Sequence, residues 1–148
     1  MSIDSYPPGI DPAVAAAPSG VLLIAHQPLA HALVRVAEHV LGHCGGPLAA
    51  LDIPPDLPRE YAIAAALTLA GQMACTGLLV LVDLHGGPTP CVVAQGLCAA
   101  WGTRARLVGG VNVAMLLTAL ESRHLPVEAL AQEVTAAGRS SVLAGLPG

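Results

Sequence analysis

The sequence predicts a doubly wound α/β domain, a mainly parallel four-stranded sheet with helices on both faces. Three observations lead there. Short runs of Val, Leu and Ile alternate four times with segments of helical apolar spacing. The runs are continuously apolar, as strands covered on both faces require. The connections between them are short and rich in Gly and Pro.

In chain order, residues 1–18 carry Pro7-Pro8, Pro12, Pro18 and an alanine run with no apolar period. They read as a flexible tail before a domain at 19–145. Val21 to Ala25 is the first strand. Leu29, Leu33, Val36, Val40 and Leu41 then recur at helical spacing, with Pro28 suited to the first turn and Gly42 or Gly45-Gly46 to the stop. Leu48 to Asp52 reads as a second strand and Arg59 to Ala74 as an alanine-rich helix. Leu78 to Val82 is the clearest strand and ends on Asp83. The loop His85-Gly86-Gly87-Pro88-Thr89-Pro90 opens a helix from Cys91 to Ala100. Arg104 to Val108 gives the fourth strand, and Gly109-Gly110 turns the chain. Helices at 114–121 and 127–137 follow, separated by Pro126; Gly138 ends the last, and Ser140 to Leu143 offers a short edge strand.

Composition narrows the function classes. The 148 residues suit one domain with a core of its own. With 54% hydrophobic and 11% charged residues, the chain is not of disordered composition. All six basic residues are Arg and the net charge is −4, which leaves no electrostatic footprint for nucleic acid. The mean hydropathy of +0.67 raises the question of a membrane span. The uncharged stretches Pro12–Val34 and Tyr61–Val82 are long enough, but Pro18-Ser19-Gly20, His26-Gln27-Pro28 and Gly71-Gln72 break them. Each reads as two buried elements and a turn. No secretory leader is legible at the start, so the expected location is the cytoplasm. Cys44, Cys75, Cys91 and Cys98 form no CxxC pair and read as buried free thiols.

Ligands of open parallel sheets bind beyond the carboxyl ends of the strands, where strand order reverses. His26 ends the first strand and Asp83 the third. If those strands are neighbours, the carboxylate accepts one ring N–H and leaves the other nitrogen a free nucleophile. Gly86 and Gly87 lead to a helix N-terminus that suits an anion, and Thr89 adds a hydroxyl. Together these suggest phosphoryl transfer through a phosphohistidine. No Walker A motif, kinase loop or second carboxylate for magnesium is present, so the donor would be another phosphorylated protein, with no metal or cofactor. A His–Asp pair that only hydrogen-bonds itself is, on spacing alone, an equal reading. Asn112 is expected to fix a turn near the site. His31, Arg35, His39 and His43 form a polar stripe on the first helix and read as solvated; zinc at His39, His43 and Cys44 would lack a completing cluster. His85 reads as an exposed loop residue.

At these residues the chain resembles the mannose-type enzyme IIA component of the phosphoenolpyruvate:sugar phosphotransferase system. The runs Gly20–His26, Leu79–Pro90, Gly110–Leu117 and Gly138–Val142 carry the resemblance, over about residues 19 to 143. It implies phosphorylation of His26, an adjacent carboxylate at Asp83, and a phosphate loop at Gly86 to Thr89. It further implies phosphate received from the carrier protein HPr and passed to a IIB partner, in a homodimer with a short C-terminal edge strand. The chain has Ala25-His26-Gln27 where the family usually has Thr-His-Gly, and Pro88-Thr89-Pro90 where it has Ser-Pro. The competing expectations are a regulatory module of the same fold that binds partners by phosphorylation state, a phosphoryl donor to a dihydroxyacetone-type kinase, and a small-ligand-binding domain without turnover.

Overall fold

The computed structural model describes residues 18–42, 46–87 and 89–145. Residues 1–17 of the tail read at 1–18, His43, Cys44 and Gly45 of the zinc and helix-stop readings, and Pro88 of the loop lie outside them.

Four strands, β1 (Gly20–His26), β2 (Leu48–Ile53), β3 (Leu78–Val82) and β4 (Ala105–Val108), pair in the order β2-β1-β3-β4, all parallel. Val21 to Ala25 and Leu78 to Val82 are fully buried, which explains why both strands are apolar without alternation. Alternate residues feed two cores. Val21, Leu23, Leu79 and Leu81 pack under α1 (Leu29–Leu41), α4 (Val113–Glu121) and α5 (Val127–Ser141). Leu22, Ile24, Val80 and Val82 pack under α2 (Arg59–Gly71) and α3 (Thr89–Trp101). On α2 the fully buried positions are Ala62, Ala66 and Ala70, one per turn, so methyl groups let the helix lie close to the sheet, with Ile63 and Leu69 packed beside them. Among the described residues, no helix is long and apolar enough to cross a membrane.

The chain leaves β1 toward β2 on one side, then crosses back to place β3 on the other. The β1–β3 boundary is therefore the point where strand order reverses, and His26 and Asp83 stand at its carboxyl end.

Two expectations at the C-terminus are corrected. Gly138 does not end the last helix, which continues to Ser141. A Cβ at Gly138 would lie 2.6 Å from Met115 Sδ, so this glycine is a packing notch between α4 and α5. The edge strand expected at Ser140–Leu143 does not form: its first two residues are helical, and Val142 and Leu143 stand exposed with no strand beside them. The other boundaries differ by a few residues. The fourth strand begins after a short 3₁₀ turn at Gly102–Arg104, and α2 stops at Gly71.

Candidate active site

Two bonds tie His26 to one carboxylate, and a third holds that carboxylate in place. Its Nδ1 lies 2.7 Å from Asp83 Oδ2. Its backbone N–H donates to the same oxygen at 3.0 Å. Asp83 Oδ1 accepts the Leu84 N–H at 2.9 Å. On its other flank, the Gln27 N–H donates to the Ile53 carbonyl at 3.1 Å, tying the turn after His26 to the end of β2. The Asp83 side chain is 12% exposed and the His26 ring 50% exposed, so the acid is sheltered while the ring meets solvent.

Burial alone would push the Asp83 carboxyl up. The hydrogen bonds from the His26 ring, the His26 backbone and the Leu84 backbone outweigh it and hold the carboxyl below the usual value. An ionised Asp83 accepts from Nδ1–H, which fixes the tautomer with Nε2 as the bare nitrogen.

The loop that follows takes its shape from two glycines. Gly86 and Gly87 have φ of +79° and +76°, a left-handed pair that side chains rarely adopt. Successive N–H groups in such a turn form an anion-binding concavity. The Gly86 N–H, however, donates to Cys91 Sγ at 3.1 Å. Of the two glycines, Gly87 is therefore the one whose N–H remains for an anion among the described residues. Thr89 is the first residue of α3, exposed, with Pro90 in the first turn where its missing N–H costs nothing. Its hydroxyl stands at the positive end of a thirteen-residue helix.

Asn112 caps α4, accepting the Met115 N–H at 2.9 Å through Oδ1 and donating to Ser141 Oγ at 3.0 Å. It sits at the carboxyl edge of the sheet but its bonds go to α4 and α5, not to His26. His85 is exposed, as expected, and its backbone packs on the turn after β4. A Cβ at Gly109 would lie 2.4 Å from His85 Cβ and 3.0 Å from its Cα. Gly109→Ala is thus expected to push the 84–87 loop outward and to lower stability by about 1–3 kcal/mol. Thermal unfolding of the variant measures this, and an unchanged melting temperature contradicts it.

Sequence reasoning missed two contacts. His31, read as part of a solvated stripe, is exposed, yet its Nδ1 lies 2.7 Å from Asp52 Oδ2. Cys91, read only as a buried thiol, is the acceptor that anchors Gly86. The one sequence signal for His31 was an acid, Asp52, at the end of the second apolar run, as Asp83 stands after the third. Cys75 and Cys91 are buried and Cys98 half-buried, all as free thiols. Burial pushes the Cys75 and Cys98 thiols up, which keeps them protonated and unreactive. Among the described residues, no group of three or more His, Cys, Asp or Glu converges to hold a metal ion.

The fold and site define a class: a doubly wound domain presenting an acid-oriented imidazole beside a glycine turn at its switch point. The profile of the mannose-type EIIA family, described as the PTS system fructose IIA component, matches residues 20–137, and the chain belongs to that family. It is a component of a sugar phosphotransferase system, from a family of phosphotransferases. Its structure is similar to the mannose/sorbose-specific IIA subunit of the phosphotransferase system of Enterococcus faecalis, at 29% identity and a TM-score of 0.75, over 88% of this chain and 98% of that one. Two further solved structures share the fold. One is the phosphotransferase system component EIIA of Streptococcus agalactiae, at 22% identity and TM-score 0.75, over 84% of this chain and 95% of that one. The other is the PTS IIA protein associated with the fucose utilization operon of Streptococcus pneumoniae, at 20% identity and TM-score 0.72, over 88% and 95%. No curated protein matches the chain.

Proposed function

We propose that the chain is a cytoplasmic phosphocarrier that takes a phosphoryl group from phospho-HPr on His26 Nε2 and passes it to a IIB partner. The observation that carries this reading is the 2.7 Å contact between His26 Nδ1 and an ionised Asp83, with the ring half exposed.

In the transfer, the Nε2 lone pair attacks phosphorus in line with the carrier's P–N bond. That bond breaks and the carrier imidazole departs with its electron pair. The His26 ring gains positive charge as the new P–N bond forms, and the Asp83 carboxylate at Nδ1–H offsets it. The Gly87 N–H, the Thr89 hydroxyl and the start of α3 face the phosphoryl oxygens. Gly86 acts through the turn it forms, since Cys91 takes its N–H. The same steps in reverse hand the group to the IIB nucleophile. Incubation with phosphoenolpyruvate, enzyme I and HPr, followed by intact mass measurement, tests the reading. A gain of one phosphoryl group at the rate of a control IIA domain supports it, and no gain contradicts it.

The working unit in this reading is a homodimer. β4 is an edge strand, and a groove of about 440 Å³ runs between it and α5, lined by Arg106, Val108, Gln132, Thr135 and Arg139. The exposed Val142 and Leu143 follow directly from α5. A second copy that lays this apolar segment along β4 covers both features at once. Sedimentation is expected to give a dimer for the wild type and a monomer when Val142 and Leu143 are both replaced by Glu; a monomeric wild type contradicts this part.

A further inference from the structure

A second imidazole is seated on a carboxylate at the same end of the sheet. Asp52 lies beside Ala25 in the β1–β2 register, while Asp83 follows Val82, which lies beside Ile24. The two acids thus flank the end of β1 from its two neighbouring strands, about 10 Å apart across two strand spacings. The geometry repeats: His31 Nδ1 to Asp52 Oδ2 is 2.7 Å, as in the first pair. Two backbone N–H groups donate to each acid. Asp52 Oδ1 accepts from Ala30 at 2.8 Å and from His31 at 3.4 Å, as Asp83 accepts from His26 and Leu84. In both pairs the acid is covered and the ring is open, here 16% against 65% exposed. With Nδ1 engaged, Nε2 of His31 faces solvent as a bare nucleophile.

A cation lies on the same face of α1. Arg35 is exposed, makes no salt bridge among the described residues, and follows His31 by four positions on α1. Residues at that spacing are neighbours on one face of a helix. His31 also lies in the first turn of α1, where the helix field favours an anion.

We propose that His31 is a second phosphoryl-accepting residue, with Asp52 orienting its ring and Arg35 carrying the charge of the transferred group. The inference rests on the reading of HPr as donor. The step balances as at His26: the donor P–N bond breaks, the donor imidazole leaves with the electron pair, and the P–Nε2 bond of His31 forms. His31 lacks a glycine turn to hold the phosphoryl oxygens, so its labelling is expected to be about 100-fold slower than that of His26.

The test is intact mass and site mapping of the wild type, His26→Ala, His31→Gln and the double variant, after incubation with phosphoenolpyruvate, enzyme I and HPr for at least several hundred half-times of His26 labelling. Glutamine at position 31 can still hydrogen-bond Asp52, which protects the fold. The expected result is a second phosphoryl group on the wild type, a single one on His26→Ala mapped to His31, and none on the double variant. Arg35→Gln is expected to slow His31 labelling about tenfold. Label on His26 alone overturns the second site and leaves the first reading standing. Label on His31 alone overturns the first reading and leaves the second site standing. No label on any variant, when a control IIA domain is labelled, overturns both.

Discussion

His26→Ala is expected to cut the initial rate of phosphoryl gain from phospho-HPr by at least about 100-fold, while the fold stays intact. The ring is half exposed and makes its side-chain bond only to Asp83, so its removal opens no cavity in either core. The acid remains satisfied in part by the backbone N–H groups of residue 26 and Leu84. Rapid-quench labelling together with circular dichroism separates loss of the nucleophile from loss of structure. A variant that is labelled as fast as the wild type places the chemistry elsewhere.

Asp83→Asn is expected to slow the same step on the order of 10²–10⁴-fold, by analogy with catalytic acids that set a histidine tautomer. The amide can offer an N–H to the ring nitrogen that now donates. That selects the tautomer with its proton on Nε2, the atom that has to attack. The substitution also carries a pH signature. The folded Asp83 carboxyl lies below its unfolded value of about 3.9, so it binds fewer protons in the folded state. Its contribution to stability is fully present above that pH and is lost as pH falls through the folded value. Melting temperature should therefore drop in the wild type beneath about pH 4, and part of that drop should be absent in Asp83→Asn. Parallel acid profiles for the two proteins contradict the assignment.

How much of this was legible before the structure follows from the range of each interaction. β1 and β3 declare themselves because burial on both faces leaves no polar residue in Val21–Ala25 or Leu78–Val82. Their ends are equally plain, since the first polar side chain after each run must stand at the carboxyl edge. Their adjacency was a condition in the sequence and is a fact in the sheet order. The His31–Asp52 bond was not legible: helical spacing puts His31 on a polar face, and only the position of β2 brings an acid under that face. The Cys91–Gly86 bond was hidden for the same reason, because a thiol in an apolar helix reads as core. At Gly138 the local rule that glycine ends helices lost to a tertiary one, the need to admit Met115.

The nitrogen of His26 that carries the phosphorus is identified by ¹⁵N NMR of the phosphorylated chain labelled in its histidine rings. With Nδ1 of His26 bound to Asp83 at 2.7 Å, the phosphorus coupling is expected on Nε2 of His26. Coupling on Nδ1 of that ring, or on neither of its nitrogens in a chain that has gained the phosphoryl group, contradicts the account.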